Sequence, residues 1–599
     1  MFLQEGFGGM KNVVLVVCDG LSYDMTIDKI NHKTPMKFLN GLREKAVSCE
    51  RAYSQAPYTE GGVMGLLYGR NPLDNGAYLC GMQEWEGSLF KAFHENGYAL
   101  FSSYFGSFLP PEMMIEGQYV YDMNYFTPLF SRYIRGKLDY YRGVETLEVQ
   151  DYSAISKLLK RHFESMLLYH SEKALANDRT GDCNPCIPET EERMVYIREW
   201  KEKVVLEYNV FLKDKHKYID ELFTNYEAHF LTTECDLSGL PMRKELVEHR
   251  RWVKKQYRAL FKKIKQKNRA YFIRKHRFPM RAIVRYLRDD RKKAIEMVYR
   301  AYQDGFVFDK TKMISTDLQQ LCTSAKGFVH SFIEWNEHRD DSEPPFFTYL
   351  HFDEFHRPLS FYTMDIADKE LTKSELDEAS KYVMGLERSY SGNIAFDLAA
   401  RYLDDSIHMM YSYLAEKDLL KDTIFVVTAD HGSSNFGGEV RYTVTNNFYD
   451  EQYHIPLVVV GANSEKKINS FVNIKDIPYM LLTECGIQIP KLFSGENFLT
   501  SDKKSTFVEY LGTGVPDMLR RPVLFLYRDE KVAYLLSAKL MDPKEEIKIL
   551  YFYDLLRDPY QHRNIANEIS LELRNECIDR YRPRYMELKE NYTNWCSEE

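Results

Sequence analysis

Short runs of consecutive apolar residues recur along the chain, and the first ones end abruptly at polar side chains. The first run, NVVLVVC at 12–18, stops at Asp19, and similar runs lie at 344–352, 423–432 and 455–461. An unbroken β-branched run of this length is typical of a strand that is buried on both faces, as in a parallel sheet covered by helices. Residues 401–420 instead repeat apolar side chains at helical spacing. Strands that alternate with helices predict an α/β fold.

Changes of composition divide the chain into four segments. Residues 10–130 and 326–504 carry the strand and helix pattern, and they predict one core in two parts. Residues 131–325 are rich in Lys, Arg, Tyr and Leu and predict a mainly helical basic insertion. Residues 505–599 combine short strand-like runs with a Tyr-rich helical tail, which predicts a small α+β C-terminal subdomain.

The positive charge is concentrated in one segment. The chain has a formal net charge of −8, yet residues 243–300 hold 22 Lys and Arg against 5 Asp and Glu. Aromatic side chains are interleaved with these cations, which is typical of a solvated helical face with a packed aromatic stripe. The alternative is docking to an anionic membrane surface or a polyanionic glycan. Nucleic-acid binding is disfavoured because no recognition motif accompanies the charge.

The sequence also bears on location. No window reaches the roughly 18 uncharged apolar residues of a membrane-spanning helix, and the N-terminus lacks the pattern of a signal peptide. The ten cysteines include one close pair, Cys183 and Cys186, and a zinc ribbon needs a second pair. We therefore predict reduced thiols and a cytoplasmic protein that is peripheral at the membrane if the basic segment docks there.

Three positions carry candidate chemistry at predicted strand or helix ends. They are Asp19 after the first strand, Thr59 before an apolar helix, and the pair Asp430-His431 after a later strand. In open α/β sheets such residues gather beyond the carboxyl ends of the strands, where two Asp and a His suit a metal ion. Each has a plainer interpretation, since Asp-Gly often forms a turn, Thr often caps a helix and Asp-His-Gly is often a loop.

The order of these motifs resembles a known family. NVVLVVCDGLSYD, APYTEGGVMGLLYGRNP, FFTYLHFDEFHRP, LLKDTIFVVTADHGSS, HIPLVVVG and FYDLLRDPYQHRNIAN resemble successive signatures of the sulfatase family in the alkaline phosphatase superfamily. The resemblance implies an α/β sandwich around a central, mostly parallel sheet, with a helical insertion and a small C-terminal α+β subdomain.

The chain departs from true sulfatases at the centre of the motif. The family's formylglycine arises from Cys or Ser in Cys/Ser-x-Pro-x-Arg, ten residues before a Gly, and here that position is Thr59 before Gly69. Gly61 and Val63 replace the Pro and Arg, the Lys-Trp-His motif is absent, and Gly20 replaces a second acid. The resemblance then implies no formylglycine and a threonine nucleophile, as in phosphoglycerol and phosphoethanolamine transferases and nucleotide pyrophosphatases.

The resemblance assigns roles to seven residues. Asp19, Thr59, Asp430 and His431 would hold a divalent metal, and these donors favour Mn or Zn over Ca. Asp353, His356 and His454 would either hold a second metal or bind substrate, with substrate contact and proton transfer to the leaving oxygen by His356 favoured. His351 is interpreted as structural because it alternates with the buried run, with a substrate role left open.

The resulting hypothesis is a metal-dependent phosphotransferase or phosphodiesterase. It would act on an anionic phosphoester through a covalent phospho-Thr59 intermediate, with water or a sugar hydroxyl of a cell-surface glycan precursor as acceptor. Two alternatives stay open: a sulfuric ester hydrolase, and a catalytically silent member of the fold that binds a polyanion.

Overall fold

The structure is a computed structural model, and it describes most of the core and the C-terminal subdomain. The described residues are 10–29, 33–74, 87–104, 119–122, 138–139, 141–169, 171–172, 190–226, 251–252, 255–256, 258–267, 288, 324–340, 342–355, 369–387, 389–391, 394–433, 449–463, 467–510, 522–540, 546–559, 561 and 563–597.

The predicted apolar runs form four strands of a central sheet, and five further strands complete it. Its strands are β1 (Asn12–Cys18), β2 (Val47–Tyr53), β3 (Ala99–Tyr104), β4 (Tyr119–Asp122), β5 (Phe346–Phe352), β6 (Thr423–Thr428), β7 (His454–Val460), β8 (Lys467–Ile468) and β9 (Val472–Asn473). Their order is β4-β3-β5-β1-β6-β7-β2-β8, with β9 also paired to β2. Neighbours from β4 to β6 are parallel, whereas β7 is antiparallel to β6 and to β2. The predicted α/β fold with a mostly parallel sheet is confirmed.

Both faces of this sheet are covered. Side chains of a strand alternate between the two faces, and every residue of β5 and β6 is buried. The described α-helices of the chain are α1 (Lys37–Leu42), α2 (Thr59–Tyr68), α3 (Leu89–Glu95), α4 (Val149–Tyr169), α5 (Thr190–Lys213), α6 (Lys215–Thr224), α7 (Ala325–Glu337), α8 (Lys369–Gly385), α9 (Ile394–Glu416), α10 (Asp450–Tyr453), α11 (Asp476–Glu484) and α12 (Leu571–Ser597).

Helix α9 shows why the apolar spacing was informative. Leu403, Ile407, Met410 and Leu414 recur every three or four residues, and all four are buried in the central core. On the same helix, Asp404 accepts backbone N–H bonds from Phe38 and Leu39 at 2.8 and 2.9 Å. These bonds satisfy the first turn of α1 and fix it against α9.

The C-terminal segment forms a second sheet, which agrees with the predicted α+β subdomain. Its antiparallel strands are β10 (Ser505–Tyr510), β11 (Val523–Asp529), β12 (Val532–Ala538) and β13 (Ile547–Asp554). Helix α12 packs on this sheet through Tyr581 and Tyr585, which are fully buried. Arg584 lies between them and joins the carboxylate of Glu509 through two hydrogen bonds of 2.6 and 2.9 Å, and it also contacts Asp74. The subdomain is therefore tied to the chain that follows α2.

The helical region between the two parts of the core contains two kinds of packing. Helices α4, α5 and α6 share a separate apolar core that includes Phe163 and Phe211. Residues 258–267 are helical and instead place Leu260 and Ile264 in the central core. The domain boundaries drawn from composition stay a prediction, since part of the basic segment packs on the core itself.

The basic segment presents most of its described cations to solvent, whereas Lys267 donates to the Met384 and Leu386 carbonyls. Trp252 and Phe261 pack against the central core, which fits the packed aromatic stripe. Five exposed cations follow one another at spacings of four and three residues, which is the spacing of one helical face; they are Arg251, Lys255, Arg258, Lys262 and Lys265. The other aromatic residues of the stripe lie outside the described residues. Among the helices that the structure describes, none is both long and apolar enough to traverse a bilayer.

Candidate functional site

The carboxyl ends of three adjacent strands bring the candidate acids together. Strand β1 lies between β5 and β6, so Asp19 follows β1 at the edge where Asp430 follows β6. The Asp19 backbone N–H donates to the Phe352 carbonyl at 2.8 Å, which extends the β1–β5 pairing by one residue. Asp19 and Asp430 are both buried, with exposed fractions of 2% and 0%.

Asp430 is held by backbone donors on one side only. Its Oδ1 accepts the N–H of His431 at 2.8 Å and that of Gly20 at 3.2 Å. Gly20 has a φ of 73°, a left-handed conformation that side chains with a Cβ rarely adopt. No group in the described part of the chain hydrogen-bonds to the buried Oδ2. Burial and the neighbouring Asp19 charge raise the pKa of Asp430, because both disfavour a second buried carboxylate.

Thr59 lies beside these acids at the start of α2. Its Oγ1 is 3.3 Å from Asp19 Oδ2 and 3.4 Å from His431 Nε2. The interpretation of Thr59 as a helix cap is wrong: Tyr58 occupies the N-cap position and Thr59 is the first helical residue. The ten-residue spacing to Gly69 is the length of α2, which ends at that glycine. Thr59 therefore sits at the positive end of a helix, where anions are stabilised.

Gly62 allows α2 to approach the strand end. A Cβ on this residue would lie 2.1 Å from the Asp430 carbonyl oxygen, which no side chain tolerates without movement. The Ser54 hydroxyl donates to the same carbonyl and to that of Ala56, the latter at 2.9 Å. The glycine and the serine together fix the distance between the helix that carries Thr59 and the loop that carries Asp430.

His431 directs one unprotonated nitrogen into the site when its ring is neutral. Its Nδ1 is 2.7 Å from the Gly432 carbonyl, which only accepts hydrogen bonds, so Nδ1 carries the proton. The opposite Nε2 lies 3.2 Å from Asp19 Oδ1 and 3.7 Å from Asp430 Oδ2. A bare nitrogen facing two carboxylates is unfavourable unless a cation or a proton lies among them.

The structure adds His351, which the sequence interpretation treated as structural. This residue is buried, as that interpretation expected, but its Nε2 lies 3.4 Å from Asp19 Oδ2. One ligand atom from each of Asp19, His351 and Asp430 lies within 4.8 Å of the others. The available signal was its position near the end of a buried strand, one residue before the apolar run stops. The strand register that places it opposite Val17 was needed to connect it with Asp19.

Of the three remaining candidates, His454 makes its contacts away from this group. His454 begins β7, stacks between Tyr23 and Tyr53 at ring distances of 4.2 and 4.9 Å, and donates from Nε2 to the Glu50 carbonyl. Its Nδ1 lies 3.6 Å from Asp450, so both ring nitrogens have partners away from Asp19. Asp353 is half-buried just beyond β5. His356, like Cys183 and Cys186, lies outside the described residues.

The donor set fits a divalent cation. The carboxylates of Asp19 and Asp430, the imidazoles of His351 and His431 and the hydroxyl of Thr59 converge on one buried place. The Asp430 oxygen that lacks a described hydrogen-bond partner supports this fit, because a buried carboxylate oxygen is costly to leave without a compensating charge.

The fold and the site define an α/β protein with a buried, carboxylate- and imidazole-lined cation site at the carboxyl edge of its sheet. A family model described as Sulfatase matches residues 11–167 and 299–487. The chain belongs to the sulfatase family, within the alkaline phosphatase superfamily.

Individual relatives are more distant. Arylsulfatase K of Mus musculus is 33% identical over 89 residues, which is 14% of this chain and 16% of the relative. The phosphonate monoester hydrolase of Silicibacter pomeroyi is 14% identical with a TM-score of 0.46, covering 96% of this chain and 95% of that one. The phosphonate monoester hydrolase of Agrobacterium radiobacter is also 14% identical, with a TM-score of 0.44 and coverages of 98% and 95%. These similarities leave the reaction of this chain to be argued from its own residues.

Proposed function

We propose that this protein is a metal-dependent phosphodiesterase or phosphotransferase that works through a covalent phospho-Thr59 intermediate. The observation that carries the proposal is the position of the Thr59 hydroxyl, at the N-terminus of α2 and within 3.4 Å of both Asp19 and His431. A hydroxyl is a weak nucleophile at neutral pH, and a convergent cation site beside it is one way to activate it.

The residues that would hold the cation are Asp19, Asp430, His431 and Thr59, with Mn or Zn favoured by the donor set. When bound, such an ion lowers the pKa of a coordinated hydroxyl and offsets negative charge on the phosphoryl oxygens. Thr59 Oγ1 then forms a bond to phosphorus as the bond from phosphorus to the leaving oxygen breaks. The Thr59 proton passes to a neighbouring base, for which Asp19 Oδ2 at 3.3 Å is placed. The N-terminal N–H groups of α2 face the phosphoryl oxygens.

The second half of the reaction reverses these bonds. Water, or a sugar hydroxyl of a cell-surface glycan precursor, forms a bond to phosphorus while the bond to Thr59 Oγ1 breaks. The proton of this attacking hydroxyl passes to His356, and Asp19 returns its proton to Thr59 Oγ1. His356 is the proposed donor of the proton to the first leaving oxygen, and Asp353 is the proposed substrate contact. The aromatic stack around His454 favours a supporting role for this residue over direct contact.

Phosphorus is favoured over sulfur by the residue at the centre of the site. A formylglycine requires Cys or Ser in the Cys/Ser-x-Pro-x-Arg pattern, and this chain has Thr59, Gly61 and Val63 there. A sulfuric ester hydrolase is the second candidate, because the chain belongs to the sulfatase family. A silent polyanion-binding protein is the third, and the exposed cations of residues 251–265 are the observation that favours it.

The test compares esters on the same preparation. Purified protein supplied with Mn or Zn should hydrolyse a bis-aryl phosphodiester, and Thr59→Ala should abolish the activity while Thr59→Ser retains part of it. Thr500→Ala changes an exposed threonine and serves as the control. Intact-protein mass after substrate exposure should show an adduct that maps to Thr59. Turnover of an aryl sulfate without phosphodiester turnover would instead support the sulfatase, and the absence of any turnover and adduct would support the silent binder.

We also propose that the cationic face at 251–265 docks the protein to an anionic surface. The face has five exposed cations and no acidic residue, while the opposite face is anchored in the core by Leu260 and Ile264. Co-sedimentation with anionic vesicles at low salt tests docking to a membrane, and binding to a sulfated glycan at low salt tests docking to a polyanionic glycan. Charge reversal at Lys262 and Lys265 should weaken the interaction, and salt should weaken it further.

Free, buried Cys18 and Cys49 support the reducing, cytoplasmic location proposed for this protein.

A further inference from the structure

The imidazole of His351 lies at the floor of the cation site and makes contacts at both ring nitrogens. Its side chain has an exposed fraction of 0%, and it sits on β5 opposite Val17, two residues before Asp19 in β1. Its backbone N–H donates to the Ser103 hydroxyl at 3.1 Å, which fixes the strand against β3. The Nε2 atom points at Asp19 Oδ2, and the Nδ1 atom lies 2.8 Å from the Tyr349 hydroxyl.

The Tyr349 hydroxyl hydrogen-bonds to His351 Nδ1 at 2.8 Å, whereas Nε2 and Asp19 are 3.4 Å apart, beyond the roughly 2.7–3.2 Å of an N–H···O hydrogen bond. A tyrosine hydroxyl can donate or accept, so this contact is compatible with a proton on either ring nitrogen. With the proton on Nδ1 and donated to Tyr349, Nε2 is left to bind a cation beside Asp19. His431 has that arrangement, with Nδ1 hydrogen-bonded to a carbonyl and Nε2 facing Asp19.

Resting on the cation-dependent function proposed above, we propose that His351 is a further cation ligand and that Tyr349 holds it in the ligating tautomer. This second imidazole makes the site select Zn²⁺ over Mn²⁺ and Ca²⁺. Histidines that bind metals characteristically donate their other ring N–H to an oxygen, which fixes the ring and its tautomer. Tyr349 is fully buried and supplies that oxygen.

The selectivity follows from the number of nitrogen donors. With His431 alone the site offers one nitrogen among oxygens, a set that Mn²⁺ accepts well. With His351 as well, two nitrogens stand beside the oxygens of Asp19, Asp430 and Thr59, which shifts the donor set toward Zn²⁺ because imidazole suits Zn²⁺ better than Mn²⁺. Calcium prefers six to eight oxygen ligands and is disfavoured by each imidazole.

The experiment measures cation binding rather than turnover. Full-length protein is stripped with a chelator and titrated calorimetrically with Zn²⁺, Mn²⁺ and Ca²⁺ in turn. Wild-type protein should bind Zn²⁺ most tightly. His351→Asn, which offers an oxygen or nitrogen of an amide in place of an imidazole, should weaken Zn²⁺ binding by at least ~10-fold and reduce the ratio of Zn²⁺ to Mn²⁺ affinity.

Tyr349→Phe tests the tautomer with little change of shape. It should weaken Zn²⁺ binding by roughly 10–100-fold, the loss typical when the hydrogen-bond partner of a metal-bound histidine is removed. Tyr402→Phe is the matched control, because Tyr402 is also buried and its hydroxyl contacts Ser324 on another part of the core. It should leave Zn²⁺ affinity unchanged. The visible absorption spectrum of the Co²⁺-substituted protein should change in His351→Asn and stay as in wild type in Tyr402→Phe.

The outcomes are separable from those of the catalytic proposal. Wild-type Zn²⁺ affinity and wild-type metal preference in folded His351→Asn would overturn the assignment of His351. If that variant does not fold, unchanged Zn²⁺ affinity in Tyr349→Phe would overturn it. A phosphodiesterase that depends on Thr59 but binds Zn²⁺ without need of His351 would leave the catalytic proposal standing and remove this one. Selective Zn²⁺ binding through His351 without ester cleavage would do the reverse.

Discussion

Adding one methyl group at Gly62 should separate Thr59 from the cation site. The new Cβ would lie 2.1 Å from the Asp430 carbonyl oxygen, whereas ordinary contact begins at 3.4 Å, so about 1.3 Å of movement is needed. The two nearest atoms, at 2.1 and 2.7 Å, belong to the backbone of Asp430, which cannot rotate away as a side chain would. Helix α2 must therefore shift as a unit, and Thr59 lies one turn before Gly62 on the same rigid helix.

A shift of this size should reduce activity far more than stability. Misplacing a reacting group by about 1 Å can cost on the order of 100-fold in rate. The overpacking itself should cost about 1–3 kcal/mol of unfolding free energy, partly offset by the roughly 1 kcal/mol that Ala gains over Gly inside a helix. The expected result for Gly62→Ala is a folded protein with a lower Tm, weaker cation binding and phosphodiester hydrolysis reduced by about two orders of magnitude.

Gly41→Ala is the matched control for this prediction. Gly41 also lies inside a helix, α1, but a Cβ on it would meet nothing within 4 Å. This variant should keep wild-type activity and gain about 0.5–1 kcal/mol of stability from helix propensity. The measurements are calorimetric cation titration, thermal unfolding and hydrolysis of a bis-aryl phosphodiester. Wild-type cation affinity and activity in Gly62→Ala would show that the contact between α2 and Asp430 does not set the site geometry.

Three further predictions concern charge and burial. Without a cation, Asp430→Asn should have a higher Tm than wild type. The substitution removes a buried carboxylate whose pKa is raised by burial and by Asp19, and it keeps an amide oxygen for both backbone donors. Addition of Zn²⁺ should raise the Tm of wild type only. Burial lowers the pKa of His162 to about 3 from an ordinary value of 6.5. The unfolded chain therefore takes up a proton here below pH 6.5 while the folded protein does not, so stability is lost as the pH falls toward 3. His162→Leu should reduce the loss of unfolding free energy between pH 7.5 and 5 by about 2 kcal/mol, measured by urea unfolding at both pH values. Arg584→Gln leaves buried Glu509 without its ionic partner and should lower the unfolding free energy by about 3–5 kcal/mol. The control, Arg582→Gln on the exposed side of α12, should lower it by less than about 0.5 kcal/mol. Equal denaturation midpoints for these two variants would contradict the role of the buried pair.

The local pattern of the chain was sufficient for four strands of the central sheet, β1, β5, β6 and β7, and for the main candidate residues. The apolar run at 12–18 is β1 to the residue, and the spacing of Leu403, Ile407 and Met410 predicted the buried face of α9. Asp19, Thr59 and the Asp430-His431 pair lie together because each follows or begins an element whose end the sequence marks. Such ends are determined by short-range physics, namely where burial stops and where a helix can start.

Tertiary structure decided the features that depend on register and packing between distant segments. The direction of β7 is antiparallel although its composition matches the parallel strands. His351 joins the site only because its position on β5 lies beside β1, and His454 at the start of β7 is drawn into an aromatic stack with Tyr23 and Tyr53. The sequence by itself determined which residue types stand at the ends of the strands. Which of them face one another was decided by strand order and by the close approach of α2 at Gly62, because those contacts join residues hundreds of positions apart.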